Sequence, residues 1–180
     1  MTKSHVLRES VVEPLVICIQ LHTLPPQSPS NCGMDITIRE ALPHQATDLS
    51  SIAFKAKGYW GYSSEQLDLW RKEFLTVSPE YIKVNRVWVA SVDKQLVGFA
   101  AVERSGEEAI LDHLWVLPEF IGRGIGKRLF LHVAATIPQF VFTSDPHADD
   151  FYRKIGAQKI GDYYSVLQGR MLTKFSYTAK

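Results

Sequence analysis

The spacing of apolar and polar positions changes period several times along the chain, and each change marks an element. Residues Asp35-Ile36-Thr37-Ile38-Arg39-Glu40 alternate with period two, which predicts a strand opening just after Met34. Over residues 43–57, Ala46, Leu49, Ile52, Ala53 and Ala56 recur at three- and four-residue spacing and predict a helix. Residues 58–62 break it. Ser63 or Ser64 then suits an N-cap, with Glu65 and Gln66 in the first turn of a second helix reaching Phe74. Residues 86–92, 95–102 and 109–116 predict three strands, with turns at Asp93-Lys94 and Gly106, and Pro118 ends the run.

Residues 124–135 return to helical spacing, with Leu129, Val133 and Phe130 on the buried face. Residues 139–143 predict a short buried strand. Pro146 suits the first position of a helix over 146–155, and Gly156 suits its stop. Two closing strands, 158–164 and 170–177, are expected to pair across Gln168-Gly169. The order is strand, two helices, three strands, helix, strand, helix, two strands, which predicts an α/β fold with a mixed central sheet.

Residues 24–31 form a Pro/Ser-rich stretch that cannot hold regular structure. The expected organisation is therefore an N-terminal extension and linker over 1–33 and one domain over 34–180. A docking or regulatory arm is the alternative for the extension, since residues 11–21 are apolar enough to pack as a strand or helix. Glu13, Pro14 and Gln20 interrupt that stretch, which is too short to span a bilayer and lacks a clean secretory pattern.

Composition changes this picture little. A chain of 180 residues suits one domain, and 46% hydrophobic with 22% charged residues is globular rather than disordered. A formal charge of +1 gives no electrostatic reason to expect nucleic acid or an anionic membrane as partner. Cys18 and Cys32 make no disulfide framework, so a cytoplasmic protein is expected. His5, His22, His44, His132 and His147 show no ligand spacing, and no metal site is expected.

The strongest chemical signal is Ile121-Gly122-Arg123-Gly124-Ile125-Gly126-Lys127, where a strand runs into a glycine turn that opens a helix. Such a turn aims backbone N–H groups at one anion, and the helix N-terminus adds favourable partial charge. Arg123, Lys127 and Arg128 add positive charge, so a pyrophosphate is the natural guest. A P-loop is excluded because Ile121 stands at its first glycine and Arg128 at its Ser/Thr. A dinucleotide fingerprint is excluded because Lys127 stands at its last glycine and the loop follows about the fourth strand.

From Val116 through Pro118, Gly124 and Gly126 to Leu129, the segment resembles the first signature of the GCN5-related N-acetyltransferases (GNAT), departing from it at Ile121. Residues 145–157, with Ala148, Phe151, Tyr152 and Gly156, resemble the second signature, with Asp145 in place of its Asn. Lys55-Ala56-Lys57-Gly58-Tyr59-Trp60-Gly61-Tyr62 is similar to a segment of uncharacterised members. The resemblance implies a mixed, mostly antiparallel central sheet of about six to seven strands with helices on both faces. It also implies acetyl-CoA as co-substrate, held by Leu114, Trp115, Val116, residues Ile121 to Lys127 and Asp145. A primary amine would attack the thioester directly.

Within that resemblance Tyr152 is the expected acid for the departing thiolate. Backbone N–H groups near 114–116, where the strand splays and CoA pairs like an extra strand, are implied for the oxyanion. For the base, Asp112 has the right strand parity. His113 has the better intrinsic pKa but is expected on the other face. Glu40 or a water chain stays open. Tyr59, Trp60 and Tyr62 are expected to line an acceptor pocket, with core packing as the alternative. The acceptor is expected to be a small-molecule amine. Protein or peptide acetylation, a non-catalytic acyl-CoA sensor of the same fold, and a homodimer all remain open.

Overall fold

The structure, a computed structural model, describes Val16–Ile17 and residues 35–179. Met34, the rest of 1–33, and with them Cys18 and Cys32, lie outside the described residues. In chain order the strands are β1 (Val16–Ile17), β2 (Ile36–Glu40), β3 (Arg86–Val92), β4 (Gln95–Ser105), β5 (Glu108–Val116), β6 (Gln139–Ser144), β7 (Gln158–Ser165) and β8 (Arg170–Thr178). The helices are α1 (Ala46–Gly58), α2 (Ser64–Glu73), α3 (Pro79–Val84), α4 (Ile125–Thr136) and α5 (Asp149–Lys154). Among the described residues no helix is long and apolar enough to cross a membrane.

Most predicted elements fall within a few residues of their observed bounds, because their hydrophobic period is clean. Two differ. Helix α3 was not expected, yet it has a full start signal: Ser78 accepts from the Tyr81 N–H at 3.0 Å and Pro79 opens the first turn. The helix expected over 146–155 begins instead as a 3-10 turn, Pro146–Ala148, before α5. There the Asp145 carboxylate accepts from the His147 N–H at 3.2 Å and tightens the first turn.

The sheet runs β2-β3-β4-β5-β6-β8-β7, antiparallel at every step except β5 to β6. Helices cover both faces, as the resemblance implied. Trp88, Ala90, Leu114 and Val116 turn toward α4 and pack with Leu129, Phe130 and Val133. Val87, Val89, Phe99 and Trp115 turn the other way and pack with Leu49, Ile52, Ala53, Trp70 and Ile82. Successive strand residues therefore feed two cores, which is why β3 and β4 read as near-continuous apolar runs.

Two irregularities shape the middle of the sheet. Between β4 and β5 the register passes from Ala101↔His113 to Val102↔Leu111, so Asp112 is an extra, bulged residue. Leu111 and Leu114, three apart, consequently share one core. The second is a wedge. Strand β6 pairs with β8 along its full length but meets β5 at the single register pair Ile110↔Val141. Beyond that pair β5 and β6 part, and β1 lies parallel to β6 with Val16↔Thr143 and Ile17↔Ser144.

Candidate functional site

The glycine loop folds as its sequence requires. Gly122 and Gly124 hold φ of 81° and 78°, a left-handed conformation that strains any residue with a Cβ. Gly124 is the N-cap of α4, so the first-turn amides of that 12-residue helix have no intrahelical acceptor. A Cβ built at Gly122 or Gly124 meets nothing within 4 Å, so the space before these amides is open. A cavity of about 220 Å³ lies there, lined by Val116, Phe120, Ile121, Gly122, Gly124, Ile125, Gly126, Lys127, Phe151, Lys154 and Ile155. That is several times the roughly 30 Å³ share of one water molecule. Unpaired amides, a helix N-terminus and two lysines fit a pyrophosphate.

Among the expected CoA ligands, Val116, Ile121, Gly122, Gly124, Ile125, Gly126 and Lys127 come together here. Arg123 does not line the cavity; its guanidinium lies 5.2 Å from the Phe120 ring centre. Leu114 and Trp115 bury their side chains in opposite cores, so their backbone is what they offer the wedge. Phe120, Lys154 and Ile155 are additions that sequence reasoning missed. Lys154 was signalled by its place on the helix that also carries Tyr152.

Asp145 stands away from the cavity lining, in a buried knot. Its Oδ2 accepts from Lys57 Nζ at 3.1 Å, Tyr62 Oη at 2.9 Å and Arg170 at 2.6 Å. Lys57 is fully buried, with Nζ 4.7 Å from the Trp70 ring centre and 4.9 Å from that of Tyr62. Burial pushes the Asp145 carboxyl up, but Lys57 and Arg170 outweigh it and hold it below the usual range. Burial and the Asp145 charge push the Tyr62 phenol well above its ordinary value. Lys57, Arg170 and Gln168, whose Oε1 accepts from Arg170 at 3.0 Å, were not singled out as site residues. A lone lysine in an apolar helix face was the available signal for Lys57.

The three aromatics divide. Tyr62 packs edge-on to Trp70 inside the knot, and Trp60 stacks on His147 with ring centres 4.9 Å apart. Tyr59 is exposed and meets the edge of Trp60. They tie the α1–α2 turn to the segment following β6.

The bulge corrects the expected parity of Asp112 and His113. Instead of facing apart, they meet, with His113 Nε2 3.4 Å from Asp112 Oδ2. Tyr81 of α3 donates to the same carboxylate oxygen, and Trp115 Nε1 donates to His113 Nδ1 at 2.9 Å. Burial pushes the His113 imidazole down to about 3, so it is neutral. Both its nitrogens have partners, which leaves no lone pair for an incoming proton. Glu40 lies at the far side of the sheet from β6, beside Arg86. Tyr152 is wholly buried among Phe130, Phe142, Phe151 and Phe175.

The sheet opens between two parallel strands, and a glycine-turned helix N-terminus lies beside the opening. The acetyltransferase (GNAT) domain model matches residues 83–156, so the stretch from β3 through α5 carries the likeness to the GCN5-related N-acetyltransferases. The chain is similar to the uncharacterized N-acetyltransferase YafP of Escherichia coli K12, 26% identical over 144 residues, covering 78% of this chain and 93% of that one. Similarity to the peptidyl-lysine N-acetyltransferase YiaC of the same organism is 29% over 100 residues, covering 54% and 66% of the two chains. In fold it resembles the PaiA N-acetyltransferase of Thermoplasma acidophilum in complex with coenzyme A, with TM-score 0.66, 20% identity and coverage of 81% and 99%. The apo solution structure of Escherichia coli YjaB gives TM-score 0.62, 26% identity and coverage of 82% and 100%.

Proposed function

We propose that this protein transfers the acetyl group of acetyl-CoA to a primary amine of a small molecule. The observation that carries the cofactor reading is the cavity before Gly122, Gly124 and the α4 N-terminus. Lys127 and Lys154 supply the countercharge for the pyrophosphate. The pantetheine arm lies in the wedge between β5 and β6, pairing with backbone near Leu114, Trp115 and Val116.

The amine nitrogen attacks the thioester carbonyl, the C–N bond forms and the C–S bond breaks. The amine proton passes to Asp112, and the departing sulfur takes a proton from the Tyr152 phenol. Asp112 is preferred over His113 because the imidazole is held neutral with both nitrogens engaged, whereas an ionised carboxylate is by its chemistry a proton acceptor. Tyr59 and Trp60 border the acceptor mouth.

A small acceptor is supported by the ties across that mouth. The Trp60–His147 stack and the Arg170–Asp145 contact draw the α1–α2 turn and the β7–β8 hairpin toward one segment, which narrows the room for an extended peptide. A lysine side chain in a peptide is the second reading, favoured by the similarity to the peptidyl-lysine enzyme YiaC. Calorimetric titration with acetyl-CoA tests the cofactor: saturable binding is expected, and Gly124→Glu is expected to abolish it without loss of fold. A folded wild type that binds no acetyl-CoA overturns the reading. Turnover of small amines against lysine peptides then separates the two acceptors.

A further inference from the structure

A β-strand has two hydrogen-bonding edges. In β6 one edge is taken by β8 over the whole of Gln139–Ser144. The pairing of β1 with Thr143 and Ser144 must therefore use the other edge, the one that faces β5. That edge is free there because β5 has already parted from β6 beyond Ile110↔Val141. Val16 and Ile17 thus lie inside the wedge, as a strand added between two strands that cannot reach each other.

The wedge is also where the proposed function puts the pantetheine arm, whose two amides need the same unpaired backbone groups. We infer that the N-terminal segment carrying Val16 and Ile17 is a built-in competitor of the co-substrate, docked in the pantetheine slot when acetyl-CoA is absent. This inference rests on the cofactor reading above.

The pairing itself fits such a role. Two residues of parallel pairing make a short, displaceable contact, because the affinity of an added strand comes from its ladder of main-chain bonds. Competition of this kind divides the intrinsic affinity by the fraction of molecules whose slot is open. The nucleotide end of CoA, held at the glycine loop, does not reach the wedge and is untouched by it.

The test compares the full-length wild type with the Val16→Pro/Ile17→Pro variant, which removes both N–H donors from the segment. Each is titrated calorimetrically with CoA and, separately, with 3′-phospho-ADP, the fragment lacking pantetheine. The variant is expected to bind CoA on the order of tenfold more tightly, with unchanged affinity for the fragment. Equal CoA affinities in wild type and variant overturn the inference and leave the cofactor reading standing. Fragment and CoA both failing to bind either protein overturns the cofactor reading itself. A measurement on the wild type alone guards against a misfolded variant. Deuterium uptake of the peptide containing Val16 and Ile17 is expected to rise when CoA is added. Unchanged or slower uptake at saturating CoA overturns the inference.

Discussion

Lys57 and Asp145, 88 residues apart in the chain, meet at 3.1 Å with both side chains fully buried. Their pairing fastens the end of α1 to the residue that follows β6, so one ion pair joins the α1–α2 side of the molecule to the wedge. Arg170 reaches the same carboxylate from the start of β8. Two cations thus depend on one buried acid.

That asymmetry orders the cost of mutation. Lys57→Met leaves Asp145 with Arg170 and Tyr62, and is expected to cost about 3 kcal/mol, the lower end for breaking a buried pair. Asp145→Ala strips the anion from both cations and also removes the cap on the His147 N–H, so about 5 kcal/mol is expected. Urea unfolding midpoints of the two variants check the order. A smaller loss for Asp145→Ala than for Lys57→Met contradicts it.

Tyr152→Phe removes one hydroxyl from an aromatic cluster and leaves the ring packing intact. If the phenol protonates the departing sulfur, kcat falls by roughly 10²- to 10⁴-fold while acetyl-CoA affinity holds. Steady-state kinetics beside a binding titration read both quantities. An unchanged kcat removes Tyr152 from the mechanism.

Asp112→Asn is expected to lower kcat/KM by roughly 10²-fold or more. His113→Asn is expected to cost less, since the imidazole holds Asp112 in place without taking the proton. Steady-state kinetics of the two variants distinguish them, and a larger loss for His113→Asn than for Asp112→Asn reverses the assignment.

Stability should also carry the signature of His113. Its folded pKa, about 3, lies below the ordinary 6.5, so the unfolded chain binds a proton that the folded chain refuses. The protein is therefore expected to lose stability as pH falls from about 6.5 toward 3, with no contribution from this group above that window. Glu103, whose carboxyl burial and the Asp112 charge push up, acts in the opposite sense at the acid end. Denaturation midpoints between pH 7 and 5 check the slope, which His113→Asn should flatten.

Gly98 faces the end of β5 at a distance no side chain tolerates: a Cβ there would stand 2.6 Å from the Trp115 carbonyl oxygen. Gly98→Ala is expected to cost about 1–3 kcal/mol through overpacking and to weaken acetyl-CoA binding by shifting the backbone of Trp115 and Val116. Thermal midpoints and a binding titration check the two effects together.

What the sequence disclosed and what it withheld follow from locality. The glycine loop, the alternating strands and the caps are written in residues a few positions apart, so 86–92 matched β3 and the loop could be placed before any fold was seen. Helix α3 was legible too, in Ser78-Pro79, but spans only six residues, too few to show a hydrophobic period. Asp112 and His113 failed differently. Strand parity assumes one residue per register step, and a bulge is fixed by the partner strand β4 rather than by β5 itself. The knot of Lys57, Asp145 and Arg170 joins three segments far apart in the chain, and nothing local announces such a meeting.

The sheet has a mechanical seam. On one side stand β2, β3, β4 and β5, each laddered to the next; on the other stand β6, β8 and β7, equally laddered, and a single register pair stitches the two. Whatever fills the wedge, whether a peptide segment or a pantetheine, also serves as mortar between these halves. Loading the enzyme should therefore stiffen it most along this line, and pulling force applied across β5 and β6 should find its weakest joint there.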